Sequence, residues 1–184
     1  MYKIAIFGSA TNESNKTIEK AKIIGKELAR SKAIVINGAT SGIPYVAAYE
    51  AYRNGAKIWG FSPASNLQGQ KEIFPEDKIK YSKLIFIPKN YQFINNIDVC
   101  RKYRNVTSTA TCDAGIIIAG RWGTMNEFTN LKDMGKVIGV LTGSGGIADE
   151  IKKLNKKINK ESLSSLVFDS NPKNLVSKVL KKLK

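Results

Sequence analysis

Residues 116–128 read Ile-Ile-Ile-Ala-Gly-Arg-Trp-Gly-Thr-Met-Asn-Glu-Phe, and they decide the fold. A β-branched run stops at Ala119-Gly120, crosses a short turn punctuated by glycine, and resumes at Thr124 with helical character. The pattern predicts a strand, a tight turn and a helix N-terminus. Such a junction aims free backbone N–H groups and the positive end of a helix dipole at one point, which suits a phosphate or another anion. Glu127 follows one turn in, so an acid stands beside an anion site.

The same grammar extends outward in both directions. Residues 2–7 are a short apolar run ending at Gly8-Ser9-Ala10, and residues 14–30 carry Ile18, Ala21, Ile24, Gly25 and Leu28 at helical spacing. A second strand over 33–36 closes in Asn37-Gly38-Ala39-Thr40-Ser41-Gly42, and Pro44 suits the first turn of a helix reaching about Arg53. Residues 57–61 and 84–87 read as the third and fourth strands. Between them, the polar stretch 62–80 with Pro63, Gly69 and Pro75 reads as an irregular excursion. A helix over 94–110, a fifth strand over 116–119 and a helix over 124–134 follow. Strands over 137–141 and 166–168 then flank a helix over 147–158, and a C-terminal helix carries Leu175, Val179, Leu180 and Leu183.

Alternation of this kind predicts an α/β fold, a doubly wound parallel sheet in a single domain over 1–184, because parallel strands need crossovers and buried strands read as continuous apolar runs. Ligands of such sheets bind at the carboxyl ends of strands near the switch point. The turns after strands one, two and five therefore nominate Gly8, Ser9, Gly38, Thr40, Ser41, Gly42, Gly120, Arg121, Gly123 and Thr124 as phosphate-binding candidates. Neither a Gly-x-Gly-x-x-Gly after the first strand nor a P-loop is present, so a standard dinucleotide or P-loop grip is unsupported.

The 184 residues suffice for one sizeable core, and 42% hydrophobic with 24% charged residues is an ordinary globular composition. Thirty Lys+Arg against 15 Asp+Glu give +15, enough to attract nucleic acid or nucleotides. Much of that charge lies on Lys-rich C-terminal helices opposite an apolar stripe of Ile147, Ile151, Leu154 and Ile158, which reads as a solvated face. Nucleic acid thus stays a partner without a supporting motif. The chain has no histidine, and Cys100 and Cys112 form no ligand pattern, so His-based triads and common zinc sites are excluded and no metal is expected. The residues at 4–7 are too short for a signal-peptide core, and no apolar run approaches about 18 residues. A soluble, cytoplasmic protein without membrane contact is the expectation.

Chemistry then falls to carboxylates, arginines, hydroxyls and lysines. On a wheel of the 94–110 helix, Val99, Tyr103, Val106 and Ala110 share one side while Ile97, Arg101, Arg104 and Ser108 share the other. That two-arginine face is either solvent or one wall of a phosphate cleft. Glu127 has a competing reading, since Thr124-Met125-Asn126-Glu127 fits a capping box. Trp122 and Tyr45 read as packing aromatics or as stacking platforms for a base.

Three of these motifs together resemble the Lonely Guy (LOG) proteins of the SLOG superfamily. Residues 120–127 are similar to the family's Pro-Gly-Gly-x-Gly-Thr-x-x-Glu signature, Arg104-Asn105 to its Arg-Lys or Arg-Asn pair, and residues 38–43 to its Gly-Gly-x-x-x-Gly turn. The resemblance implies a Rossmann-like homodimer that hydrolyses nucleoside 5′-monophosphates to free base and ribose 5-phosphate. It implies Arg104 and Glu127 as the essential pair, without a cofactor. Ala119, Arg121 and Asn105 depart from the commonest signature and bring the chain closer to the Arg-Asn branch, which includes molybdenum-cofactor carriers. Along that branch the resemblance implies a carrier of a nucleotide or phosphorylated pterin. DNA-handling relatives imply a nucleic-acid module.

Overall fold

The Ile116-Ile117-Ile118 run is wholly buried, because it forms the strand beside the switch point of a seven-stranded parallel sheet. In the computed structural model, which describes residues 1–11, 13–158 and 161–184, the strands are β1 (Lys3–Gly8), β2 (Ile34–Asn37), β3 (Ile58–Phe61), β4 (Lys83–Ile85), β5 (Ala114–Ile118), β6 (Val137–Leu141) and β7 (Ser165–Asp169). The helices are α1 (Asn15–Arg30), α2 (Ile43–Arg53), α3 (Leu67–Ile73), α4 (Ile97–Thr111), α5 (Trp122–Asp133), α6 (Gly146–Ile158) and α7 (Pro172–Lys182). Strand order is β4-β3-β2-β1-β5-β6-β7, with every neighbouring pair parallel. The chain runs outward from β1 to β4, then returns to β1's other side with β5. This is the Rossmann-like doubly wound arrangement expected from the alternation.

The sheet is covered on both faces, which is why its inner strands are apolar throughout rather than alternating. Ile4, Ile6, Ile116 and Ile118 join Ala21, Ile24, Leu28, Ala47, Ala48, Leu175 and Val179 from α1, α2 and α7. The intervening residues Ala5, Phe7 and Ile117 pack with Cys112, Phe128, Leu131, Ala148 and Ile151 beneath α4, α5 and α6. Adjacent β5 residues thus feed opposite cores.

Two local expectations are corrected. The excursion over 62–80 contains α3, started by Asn66, whose side chain accepts the Gly69 N–H at 2.9 Å, and held by Gln70, whose Nε2 donates to the Ala39 carbonyl at 2.8 Å. Seven residues with a glycine at the third position carry too little apolar periodicity to announce a helix, so one tertiary hydrogen bond decides it. In α4 the buried residues are Cys100, Asn105, Ser108 and Thr109, whereas Val106 of the expected apolar side is 43% exposed. A polar face turns inward there because it borders α5 and a cavity.

Candidate functional site

The carboxyl ends of β1, β2 and β5 meet the N-terminal part of α4 around a cavity of about 520 Å³. Of the residues nominated by sequence, Gly8, Ser9, Gly38, Thr40, Ser41, Arg101, Arg104, Arg121, Gly123, Thr124 and Glu127 line it. Gly42 and Gly120 stand behind it and shape the turns, both at φ of +96°. Asp98, Lys102, Asn105, Pro44 and Ile73 complete much of the wall. Lys102 sits next to a nominated arginine and was legible by position. Ile73 belongs to α3 and carried no signal.

The β5–α5 turn is built for close approach. Ala119 and Gly120 take left-handed backbone at φ +52° and +96°. A side chain at residue 120 would collide with Thr124, so glycine is required. Ser144 and the first turn of α6 clamp this turn: the Ala119 N–H donates to Ser144 Oγ at 2.8 Å, the Ile147 N–H to the Gly120 carbonyl at 2.8 Å, and the Ala148 N–H to the Ala119 carbonyl at 3.2 Å. Gly146 packs so tightly on the Gly120 carbonyl that a Cβ there has no room.

Helix α5 starts two residues earlier than its sequence pattern suggested, with Arg121 as the cap position and no side-chain cap. The amides of Trp122, Gly123 and Thr124 consequently have no protein acceptor among the described residues. By contrast α1, α4 and α7 begin on Ser14, Asn96 and Asn171, whose side chains accept first-turn N–H groups. Three unengaged amides at the end of a 12-residue helix make a geometry that suits an anion.

This start also removes the capping-box reading of Glu127. Thr124 occupies the third helical position rather than the cap, and Glu127 the sixth, out of reach of the cap. Glu127 is 8% exposed and faces the cavity without a hydrogen bond or ion pair within 4 Å among the described residues. Burial raises its pKa from 4.5 to about 7, against the opposing charges of Arg104 and Lys102. A carboxyl group titrating near neutrality in a cleft is suited to take or give a proton.

Arg104 approaches from α4. Its Nη1 donates to the Gly38 carbonyl at 2.8 Å, and its buried Nε has no acceptor among the described residues. The guanidinium lies where a Cβ on residue 38 would stand, so Gly38 exists to admit Arg104. Burial lowers the arginine's pKa, partly offset by Glu127. Arg101, exposed at the cavity mouth, is paired with Asp98 at 2.8 Å. The shared arginine face thus divides into one half-buried and one solvated member.

Asn105 is 3% exposed; its Nδ2 donates to Asn126 Oδ1 at 3.2 Å, while its own Oδ1 has no partner. Trp122 is 84% exposed and Tyr45 packs on Tyr49 and Phe74, with its hydroxyl accepting the Lys78 N–H at 2.8 Å. Neither aromatic lines the cavity. No group of three or more metal-ligating side chains occurs among the described residues.

Fold and cavity together define a Rossmann-like α/β protein with a cleft lined by glycine turns, arginines and Glu127 at the switch point of its sheet. The model of the SLOG cluster4 family matches residues 1–176, and the chain belongs to that family. A search of curated proteins finds none that matches. Among solved structures the chain is similar to the structural-genomics target TM1055, at 16% identity and a TM-score of 0.76 over 99% of both chains. It is similar to DNA processing protein A from Helicobacter pylori, described for its single-stranded DNA binding mode, at 18% identity and a TM-score of 0.73 over 98% of this chain and 81% of that one. The molybdenum cofactor binding protein from the phototrophic bacterium Rippkaea orientalis matches at 14% identity and a TM-score of 0.70, over 100% of this chain and 98% of the other. At these identities the likeness shows the fold.

Proposed function

We propose that the chain is a nucleoside 5′-monophosphate phosphoribohydrolase, with Glu127 as the catalytic carboxylate and Arg104 as the cation that orients the substrate. The observation carrying this reading is Glu127 itself: buried, unpartnered, raised to about pH 7, and in one cavity with an open helix N-terminus. The amides of residues 122–124 take the 5′-phosphate, assisted by Arg121, and this remote binding positions the ribose. Water adds to C1′ as the C1′–N bond breaks, and the bond pair departs with the base. The Glu127 carboxylate orients that water and accepts its proton, while its negative charge stabilises the cationic sugar; the departing base takes a proton from solvent. No cofactor is required by this chemistry.

Purified protein incubated with adenosine monophosphate is expected to release adenine, and Glu127→Ala to abolish the release. Intact nucleotide after prolonged incubation refutes the reading.

A second reading, a carrier that binds a nucleotide or phosphorylated pterin without turnover, is favoured by Arg121 and by the likeness to the molybdenum cofactor binding protein. A phosphorylated heterocycle that titrates the protein without being consumed supports it. A nucleic-acid module, kept open by the +15 charge and the likeness to DNA processing protein A, requires binding of single-stranded DNA that weakens steeply with salt. We place the protein in the cytoplasm as a homodimer. Trp122 and Val106, exposed beside the cavity helices, support the dimer; a monomeric mass by light scattering removes it. None of the described helices is long and apolar enough to cross a membrane.

A further inference from the structure

Resting on the cavity's assignment as a phosphorylated-ligand site, we infer that it holds a second anion cradle and selects ligands with two anionic groups set apart from one another. The second cradle is the turn after β2. The amides of Thr40, Ser41 and Gly42 have no protein acceptor among the described residues, and Thr40 and Ser41 line the cavity. The first two positions of α2 cannot substitute for them. Its Ile43 N–H is engaged by the Ser9 carbonyl at 2.8 Å, and Pro44 has no N–H to offer. The anion therefore meets loop amides, with Arg104 anchored alongside on Gly38.

The loop is held ready rather than left to solvent. The Ala39 N–H donates to Asn37 Oδ1 at 3.1 Å, the Ala39 carbonyl accepts from Gln70, and Gly42 packs on Ser9 in a conformation that admits only glycine.

The Glu127 side chain, more than nine-tenths buried, lines the same cavity with no hydrogen bond among the described residues. A sugar hydroxyl is a donor of the kind that carboxylate accepts. The charges agree. Pairing Arg101 with Asp98 and setting Arg104 against Glu127 leaves Lys102 and Arg121 uncompensated among the cavity's charged residues.

Geometry sets the spacing. The two cradles follow β2 and β5, which lie on either side of β1. Two strand intervals separate their backbones by about 10 Å. Adjacent phosphoryl groups of a diphosphate are too close to fill both; groups at opposite ends of a sugar fit better. The ligand class is thus a bisphosphorylated sugar or nucleoside, with Glu127 between its anionic ends.

Equilibrium binding of adenosine monophosphate, adenosine diphosphate and adenosine 3′,5′-bisphosphate separates charge from spacing. The bisphosphate is expected to bind at least about tenfold more tightly than the monophosphate, and more tightly than the equally substituted diphosphate. Ser41→Asp, at an exposed position, should erase that advantage while Ser41→Asn retains it. Equal affinities of bisphosphate and monophosphate overturn the inference, as does an equal gain for the diphosphate or an advantage that survives Ser41→Asp. Fructose 1,6-bisphosphate against fructose 6-phosphate supplies the same comparison without a base. Preference for that bisphosphate, with no nucleotide bound, upholds the second cradle while removing the phosphoribohydrolase reading. Failure of both bisphosphates to outbind their monophosphates overturns the second cradle itself.

Discussion

Replacing Glu127 by glutamine is expected to stabilise the protein increasingly as pH rises above about 4.5, and fully only above about pH 7. The folded chain holds the Glu127 proton up to about pH 7, whereas the unfolded carboxyl releases it near 4.5. Between those values the folded state binds more protons, so its stability falls as pH rises through the window and levels off above it. The difference between 4.5 and about 7 corresponds to about 3 kcal/mol, at about 1.4 kcal/mol per pH unit. Glutamine keeps the shape and carries no charge at any pH. Glu127→Gln should therefore match the wild type near pH 4.5 and exceed it by about 3 kcal/mol at pH 8, a rise in Tm of about 6–12 °C for a chain of this size. Urea denaturation of both proteins at the two pH values reads the effect. A stability difference that is the same at both pH values, or a variant weaker at pH 8, refutes the assignment of Glu127 as a buried, unpartnered acid. Stability given up in this way at one side chain is characteristic of a group placed for proton transfer rather than for folding.

Three further outcomes follow from the turns. Gly38→Ala places a methyl where the Arg104 guanidinium lies, so adenosine monophosphate binding, followed by calorimetry, should weaken at least about tenfold while the circular dichroism spectrum is retained. Gly123→Pro deletes one amide of the α5 cradle at a helical position that Pro44 occupies in α2, whereas Gly123→Ala adds a methyl with nothing within 4 Å. The proline variant should bind inorganic phosphate about tenfold more weakly than the alanine variant in the same titration. Gly146→Ala combines φ of +56° with a collision against the Gly120 carbonyl, and should lower unfolding free energy in urea by about 2 kcal/mol or more.

The order of strands and helices was legible because each inner strand is a short β-branched run stopped by glycine, and each long helix carries an apolar stripe. Where local signal was thin, tertiary contacts decided. Helix α3 depends on Gln70 reaching Ala39, 31 residues away in sequence, and no local pattern encodes that. The inward face of α4 stayed open between solvent and cleft wall because its buried residues include Asn105, Ser108 and Thr109, which resemble a wet surface on a helical wheel. At the cavity, the three turns and Arg104 with Glu127 were legible from glycine spacing and motif likeness. The start of α5 at Trp122 was not, and that two-residue difference separates a helix cap from an unpartnered acid beside three open amides. Ile73 joined the wall through the unforeseen α3.

The most direct test of the central claim is a crystal structure with a bound nucleoside monophosphate. The phosphate is expected within hydrogen-bonding distance of the Trp122, Gly123 and Thr124 amides, with the Glu127 carboxylate facing C1′ of the ribose. A phosphate bound outside this cavity, or a ribose held away from Glu127, would contradict it.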